Sequence, residues 1–148
     1  MQVSNKDERF IQKAAEQASQ SPCLMRHGCV AVINGRVVGR GYNNYRCVSR
    51  DGFIHNCMTC HAEMAALREV NKLSKNFKKV ILYVVRLDAK NTLQESGPCV
   101  DCMNKILTLN IKRIFHSVNG GKIVVRHPTN YNSEHITTGR RLITDVKL

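Results

Sequence analysis

Apolar residues recur along the chain at two different spacings, and these spacings predict its helices and strands. Residues 6–19 carry an apolar stripe at helical spacing among good helix-forming residues, which predicts the first helix. Residues 28–33 and 36–42 are rich in β-branched side chains and are joined by Asn34-Gly35, a dipeptide that two-residue hairpin turns favour. The sequence therefore predicts a β-hairpin after the first helix.

The rest of the chain alternates between helical and strand patterns. The predicted elements are helices over residues 60–73 and 98–109, and strands over residues 79–85, 112–117 and 122–126. The polar segments 43–59 and 86–97 are predicted to be loops of the kind that border functional sites. The tail from His127 is expected to carry one short helix or strand.

This order of elements, α-β-β-α-β-α-β-β, favours an α/β fold in which helices pack on the faces of a five-stranded sheet. Only the turn at residues 118–121 separates the last two strands. A parallel crossover needs a dozen residues or more, so these two strands are predicted to form an antiparallel hairpin. No linker, repeat or low-complexity segment divides the sequence, and a single domain over residues 1–148 is expected.

The composition is that of an ordinary globular protein, with 43% hydrophobic and 23% charged residues. The longest apolar run, residues 80–85, is far too short to cross a bilayer, so no membrane partner is expected. The first ten residues are polar and include acids, which favours a cytoplasmic location, with the nucleus as the alternative. Without an export signal, the seven cysteines are expected to be reduced thiols or metal ligands.

The net charge of +12 favours anionic partners, because 23 Lys and Arg residues face only 11 acids. Phosphorylated nucleotides and nucleic acid both meet that description. The positive residues are spread along the chain rather than clustered, so a merely solvated basic surface is an equal alternative. Four Tyr, four Phe and no Trp offer few platforms for base stacking, which disfavours a dedicated single-strand-binding protein.

Two short segments carry the residues best suited to metal chemistry, Cys60-His61-Ala62-Glu63 and Pro98-Cys99-Val100-Asp101-Cys102. Each follows a loop and opens a predicted helix. One histidine with two cysteines three residues apart supplies three of the four ligands of a tetrahedral zinc, and an open fourth position is typical of catalytic zinc. The positive end of a helix dipole also favours thiolates. The glutamate, two residues beyond the histidine, points elsewhere and suits a proton shuttle beside the open position.

Together these segments resemble the two-part zinc signature of the cytidine deaminase superfamily. The resemblance extends from the first predicted helix to the fifth strand. It implies the three-layer α/β/α fold of that superfamily, with a five-stranded mixed sheet. It also implies a zinc cofactor held by His61, Cys99 and Cys102, and Glu63 as the catalytic acid and base. The alternatives are a zinc ion that only stabilises the fold and cysteines that have this spacing by chance.

The resemblance further implies a hydrolytic deamination. Glu63 takes a proton from a zinc-activated water, hydroxide attacks the carbon that bears the exocyclic amine, and ammonia leaves after Glu63 returns the proton. The implied substrate contacts are Asn43, in a Gly-Tyr-Asn segment that ends the second strand, Ala62, and the backbone N–H of Cys99. Asn43 is equally suited to a turn, so both roles remain open for it.

The features that bear on the substrate point in two directions. A histidine in the first zinc motif resembles the deoxycytidylate, tRNA-adenosine and polynucleotide-cytidine deaminases, and the segment 21–33 resembles the deoxycytidylate group. The short final hairpin instead resembles the free-cytidine enzymes. We therefore expect deamination of cytosine in cytidine, deoxycytidine or their nucleotides such as dCMP. The alternatives are a deaminase of cytosine or adenine in RNA or DNA, and a non-catalytic nucleic-acid-binding zinc domain. The superfamily also implies a homo-oligomer.

Several other residues of reactive type have simpler interpretations. Cys57 and Cys60 have the spacing of a redox pair or a metal half-site, but no second half accompanies them, which favours thiols without function. Cys23 and Cys29 are expected to be small buried apolar residues. The histidines outside the motif lack ligand spacing and are expected at the surface or lightly paired. Three arginines are candidates for phosphate contact, with a solvated role as the alternative: Arg26, Arg46 and Arg50.

Overall fold

Three α-helices, one short 3₁₀ helix (Phe77–Lys79) and seven strands lie in the part of the chain that the computed structural model describes, residues 4–44, 61–73, 76–97, 100–128 and 134–136. The helices are α1 (Asn5–Ala18), α2 (Ala62–Leu73) and α3 (Val100–Leu109). The strands are β1 (Arg26–Ile33), β2 (Arg36–Tyr42), β3 (Ile81–Leu87), β4 (Leu93–Gln94), β5 (Arg113–Val118), β6 (Lys122–Arg126) and β7 (Glu134–Ile136). No helix within these ranges is long and apolar enough to cross a membrane.

The first helix begins where the sequence supplies a complete N-terminal cap. The Ser4 hydroxyl accepts a hydrogen bond from the Asp7 backbone N–H (3.0 Å), and the Asp7 carboxylate accepts one from the Ser4 N–H (3.3 Å). This reciprocal pair satisfies N–H groups that have no partner inside the helix. The observed bounds of α1 therefore differ from the predicted residues 6–19 by one residue at each end.

The sheet is mixed, with strand order β2-β1-β3-β5-β6-β7, and β4 pairs with β3 off this path. β3 and β5 run parallel, with Leu82 opposite Ile114, and the other described pairs are antiparallel. β5 and β6 face each other from Ile114 opposite Arg126 to Val118 opposite Lys122. The antiparallel hairpin predicted for the last two strands is thereby confirmed.

Two short strands extend the predicted set of five. β4 lies in the segment 86–97 that was predicted to be a loop, and it pairs Leu93 with Leu87 and Gln94 with Arg86. Leu93 is fully buried, so apolar packing holds this pair although two residues are too few to show an alternating pattern. β7 adds to the edge of β6, in the tail where one short element was expected.

Helices cover both faces of the sheet, which confirms the three-layer α/β/α fold. On one face, called the α1 face, the buried side of α1 packs with strand residues such as Val30 and Tyr83. On the opposite face, called the α2/α3 face, α2 and α3 pack over residues such as Cys29 and Val84. Since neighbouring strand residues point to opposite faces, β1, β3 and β5 each contribute buried residues to both cores.

Three of the described glycines allow helices to lie close to the sheet, and Gly28 and Gly41 are the two near the ends of their strands. A Cβ atom at Gly28 would lie 2.0 Å from the Ala14 carbonyl oxygen of α1. A Cβ atom at Gly41 would lie 2.6 Å from the Ala62 carbonyl oxygen of α2. Neither position has room for a side chain. Gly41 therefore fixes the distance between the end of β2 and the first turn of α2.

Candidate active site

The first predicted motif lies at the start of α2. The carbonyl oxygen of His61 accepts the backbone N–H of Ala65 (3.1 Å), so His61 occupies the position that caps the helix, which begins at Ala62. Ala62 is fully buried, and Glu63 is only 4% exposed. The helix start thus carries the predicted acid–base residue into the interior of the protein.

The second motif reaches the first through α3. The Nδ1 atom of His61 lies 3.1 Å from the Sγ atom of Cys102, across 41 residues of sequence. Cys102 lies in the first turn of α3 and is 3% exposed. The fold therefore brings together three of the four residues predicted for the zinc site and its chemistry, His61, Glu63 and Cys102.

The donor atoms of this pair fit a zinc ion. Zn–N bonds of ~2.1 Å and Zn–S bonds of ~2.3 Å place two tetrahedral ligands about 3.5 Å apart. The distance of 3.1 Å between His61 Nδ1 and Cys102 Sγ needs only a small adjustment to reach that value. Cys99, the third predicted ligand, lies outside the described residues. Within those residues, no group of three or more His, Cys, Asp or Glu side chains is placed to hold a metal ion.

Glu63 has an environment suited to a proton carrier. Burial raises the pKa of its carboxyl group above the usual value. A hydrogen bond with its own backbone, the charge of His61 and a hydrogen bond with the Cys102 side chain act in the opposite direction. The carboxyl group therefore adjoins both members of the His61–Cys102 pair and keeps its proton to a higher pH than an exposed glutamate does.

Cys29 of β1 lies beneath this group, on the α2/α3 face. Its side chain is fully buried, which confirms the prediction of a small core residue. Burial raises the pKa of the Cys29 thiol well above its ordinary value, and the nearby charge of Glu63 raises it further. The thiol stays protonated and forms part of the floor under Glu63.

Asn43, predicted to contact substrate, is almost fully engaged within the protein. Its side-chain oxygen accepts hydrogen bonds from the Ser21 hydroxyl (2.6 Å) and the His27 backbone N–H (2.8 Å). Its side-chain nitrogen donates to the Met25 carbonyl oxygen (2.7 Å). The residue is 9% exposed. Asn43 thus joins the end of β2 to the segment that leads into β1, and one amide hydrogen remains for any further contact.

The remaining predicted residues divide into two groups. Arg26, a candidate for phosphate contact, donates from Nη2 to the Asp88 carbonyl oxygen and to the Asn91 side-chain oxygen (2.9 Å), so it holds the turn after β3. The other group lies outside the described residues and comprises Arg46, Arg50, Cys57, Cys60, Pro98 and Cys99.

A buried polar network on β5 was not predicted from the sequence. Ser117 is fully buried and donates its N–H to the Ser96 hydroxyl (2.9 Å), which in turn donates to the Val84 carbonyl oxygen (2.9 Å). His116 is 2% exposed, so the expectation that it lies at the surface was wrong. Its position two residues after Ile114 in an apolar strand is the signal that could have placed it inside.

The three-layer fold, with a histidine, a glutamate and a cysteine gathered at two helix starts, has the architecture of a hydrolytic deaminase. The family model described as the cytidine and deoxycytidylate deaminase zinc-binding region matches residues 4–118. The chain belongs to this family. Its known members act as hydrolases on C–N bonds.

Relatives within the family carry two different activities. The deoxycytidylate deaminase of Saccharomyces cerevisiae is 29% identical over 126 residues, which cover 75% of this chain and 37% of the yeast protein. The tRNA-specific adenosine deaminase of Buchnera aphidicola (subspecies Schizaphis graminum) is 31% identical over 119 residues, which cover 75% of this chain and 65% of that protein. The chain thus spans between one third and two thirds of the length of these relatives.

Solved structures agree on the fold. The dCMP deaminase from the cyanophage S-TIM5 superposes with a TM-score of 0.59 at 24% identity, covering 78% of this chain and 84% of that one. The cytidine deaminase from Burkholderia pseudomallei superposes with a TM-score of 0.65 at 16% identity, covering 83% of this chain and 93% of that one. At these identities the likeness concerns the arrangement of helices and strands.

Proposed function

We propose that this chain is a zinc-dependent hydrolytic deaminase that converts cytosine to uracil in a small nucleoside or nucleotide such as dCMP, with release of ammonia. The observation that carries this proposal is the meeting of His61, Glu63 and Cys102 at the starts of α2 and α3. The deoxycytidylate deaminases among the relatives support a pyrimidine substrate, and the cyanophage enzyme also has a structure with dCMP and dUMP bound.

The metal would be held by the His61 imidazole and the Cys102 thiolate, with Cys99 as the predicted third ligand. A zinc ion bound there would supply Lewis-acid activation of a water molecule. Thiolate and imidazole are the ligand types that zinc prefers, and here Cys102 is buried and His61 is partly buried.

Glu63 would move the protons of the reaction. Its carboxylate accepts a proton from the attacking water, whose oxygen forms a bond to the base carbon that bears the amine. The same carboxyl group passes this proton to the adjacent ring nitrogen. It then takes a second proton from the newly added hydroxyl group and gives it to the amine, so that the C–N bond breaks and ammonia leaves. Because burial raises the pKa of Glu63, the group accepts and returns a proton more readily near neutral pH than an exposed carboxylate would.

The direct test is ammonia release by the zinc-loaded protein from cytidine, deoxycytidine and their monophosphates. Glu63→Gln is expected to lower kcat by about 10²- to 10⁴-fold while zinc content stays unchanged. Glu69→Gln is the matched control, because Glu69 lies on the same helix with its side chain 51% exposed. Full activity in Glu63→Gln would contradict the proposal, and so would zinc-loaded protein that releases ammonia from none of these substrates.

A second candidate is a deaminase of adenosine in tRNA. It is favoured by the Buchnera relatives and by the net charge of +12. Ammonia release from a tRNA substrate but not from free cytosine nucleotides would support it. Oligonucleotide binding with a steep salt dependence and no ammonia release from any substrate would instead indicate a non-catalytic nucleic-acid-binding domain.

A further inference from the structure

Arg86 lies on the α2/α3 face of the sheet, near the carboxyl end of β3. Leu82 and Val84 pack into the core under α2 and α3, and side chains alternate along a strand, so Arg86 points to the same face. Its neighbours on the adjoining strands are His27 of β1 and Gln94 of β4. In open α/β sheets, ligands bind outside the carboxyl ends of the strands. Arg86 therefore lies at the ligand-binding edge of this fold.

The guanidinium group of Arg86 has unused hydrogen-bonding capacity. Its Nε atom is buried, and no described residue accepts a hydrogen bond from it. No described carboxylate forms an ion pair with Arg86 either. Asp88, two residues further along the chain, accepts hydrogen bonds from the backbone N–H groups of Lys90 (2.8 Å) and Thr92 (3.0 Å) instead. A buried N–H without an acceptor is costly, and a bound anion would satisfy it.

Arg26 provides a contrast at the same end of the sheet. It lies opposite Leu87, next to the pair formed by His27 and Arg86. Its guanidinium group is engaged by the turn at Asp88 and Asn91. Arg26 therefore stabilises the fold, whereas Arg86 is available to a ligand.

Arg86 is also close to the candidate active site. Burial is the largest of the effects that lower the pKa of His27 to about 4, and the charges of Arg86 and His61 act in the same direction. His27 thus lies within reach of both charges. Cys29, which lies beneath Glu63, is two residues from His27, or about 7 Å along β1. One ribose spans a comparable distance between a pyrimidine ring and its 5′-phosphate.

We propose that Arg86 recognises the 5′-phosphate of a mononucleotide whose base occupies the site formed by His61, Glu63 and Cys102. The inference rests on the proposed deaminase function. The Nε and Nη donors along one edge of a guanidinium group match two oxygens of a phosphate, which gives a charge-assisted, bidentate contact. Arg86 is then the residue that makes the protein prefer nucleotides to nucleosides.

The test compares dCMP with deoxycytidine in Arg86→Ala, Arg86→Lys and the parent protein. Arg86→Ala is expected to lower kcat/KM for dCMP by about 10- to 100-fold, which is the loss expected of one charge-assisted contact. The kcat/KM for deoxycytidine is expected to stay within about threefold of the parent value. Arg86→Lys keeps the charge but not the bidentate edge, so an intermediate loss for dCMP is expected. Equal losses for both substrates would overturn the proposal.

Arg36→Ala is the charge-matched control. Arg36 is exposed and begins β2 opposite Ile33, at the other end of the hairpin from Gly28 and Tyr42. The Arg36→Ala substitution removes the same charge. It is expected to change kcat/KM by no more than about twofold for either substrate, apart from long-range electrostatic effects that salt screens. A loss for dCMP as large as that of Arg86→Ala would overturn the proposal.

A binding measurement separates this inference from the proposed function. Calorimetric titration of each zinc-loaded protein with dUMP and with deoxyuridine does not need turnover. The expected result is tighter binding of dUMP that is lost in Arg86→Ala. If ammonia is released but Arg86→Ala still prefers dUMP to deoxyuridine, the assignment of Arg86 is wrong while the proposed deaminase function stands. If a single-stranded oligonucleotide rather than dUMP shows the Arg86-dependent binding, the mononucleotide assignment is wrong.

Discussion

The side-chain hydroxyl groups of Ser96 and Ser117 lie 2.8 Å apart in the interior of the protein. The Ser117 hydroxyl donates to the Gln94 carbonyl oxygen of β4 (2.6 Å), and the Ser96 hydroxyl donates to the Val84 carbonyl oxygen of β3 (2.9 Å). The pair thereby ties β3, β4 and β5 together just before residues 98 and 99 of the predicted zinc motif. These hydrogen bonds fix the chain where it enters that motif.

Ser96→Ala should destabilise the protein because it leaves the buried Ser117 N–H without its acceptor. The expected loss is about 1–3 kcal/mol in the free energy of unfolding, measured by urea denaturation. Ser19→Ala is the control, because the Ser19 hydroxyl donates to Glu16 at the exposed end of α1. Similar losses in the two variants would contradict a special role for the buried pair.

Gly28 and Gly41, two of the three described glycines that lie against helix backbone, should have separable effects. The side chain of an alanine at Gly28 or Gly41 would collide with helix backbone. Each substitution is expected to lower the free energy of unfolding by about 1–3 kcal/mol or more. Only Gly41→Ala pushes against the first turn of α2, so only this variant should bind zinc more weakly. Zinc competition against a colorimetric chelator checks this under conditions where both variants are folded. Equal zinc affinities would count against the link between Gly41 and the site.

The hydrogen bond between Tyr83 and Asp7 should stabilise the packing of α1 on the sheet. The Tyr83 hydroxyl donates to the Asp7 carboxylate (2.6 Å), and its ring stacks on Phe115 with centroids 4.7 Å apart. Tyr83→Phe keeps the stacked ring and should cost about 1–3 kcal/mol, as expected for a hydrogen bond to a charged group. A double-mutant cycle with Asp7→Asn isolates the interaction free energy between the two side chains. Additive losses in the cycle would show that the two side chains are not coupled.

Acid should destabilise the protein partly through His27. Its pKa of about 4 in the folded protein lies below the ordinary 6.5, chiefly because of burial. The unfolded chain therefore binds a proton at higher pH than the folded chain does. The contribution of His27 to stability is complete above pH 6.5 and is lost as the pH falls towards 4, by up to about 3 kcal/mol.

His27→Gln tests this, because glutamine does not titrate. Urea denaturation between about pH 7 and about pH 5 should show a smaller decline in the variant than in the parent protein. An NMR titration of the His27 ring gives the pKa directly. A normal pKa for that ring, or equal declines in the two proteins, would contradict the prediction.

Zinc should stabilise the folded protein, since a ligand that binds only the folded state raises its melting temperature. Removal of zinc with a chelator is expected to lower the Tm of the parent protein. Cys102→Ser should abolish that difference, whereas Cys23→Ser, which changes a thiol outside the motif, should retain it. A chelator effect that persists in Cys102→Ser would place the metal elsewhere.

Much of the fold could be predicted because its elements are long and strongly patterned. The hairpin of β1 and β2 follows from Asn34-Gly35 between two apolar runs, and the final hairpin follows from a connection too short for a crossover. β4 could not be predicted, because two residues show no periodicity and only tertiary contact with Leu87 and Arg86 creates the strand.

For the candidate site, residue types and spacing predicted which side chains should meet but not what surrounds them. The contact between His61 and Cys102 agrees with the motif. The burial of Glu63 and the charge that Arg86 presents depend on how the strands are placed, which no local pattern contains. The engagement of Asn43 by Ser21 and His27 likewise arises from contacts made across the fold.

The hydrogen bonds of Asn43 have a thermodynamic consequence for recognition. Because this one amide holds Ser21, Met25 and His27 in place, the backbone beside the site is ordered before any ligand arrives. Ordering a flexible segment upon association would subtract from affinity, and here that entropy is already lost during folding. Ligand binding should therefore need little conformational adjustment of the segment from Ser21 to His27. The backbone amide hydrogens of this segment should exchange slowly even in the free protein.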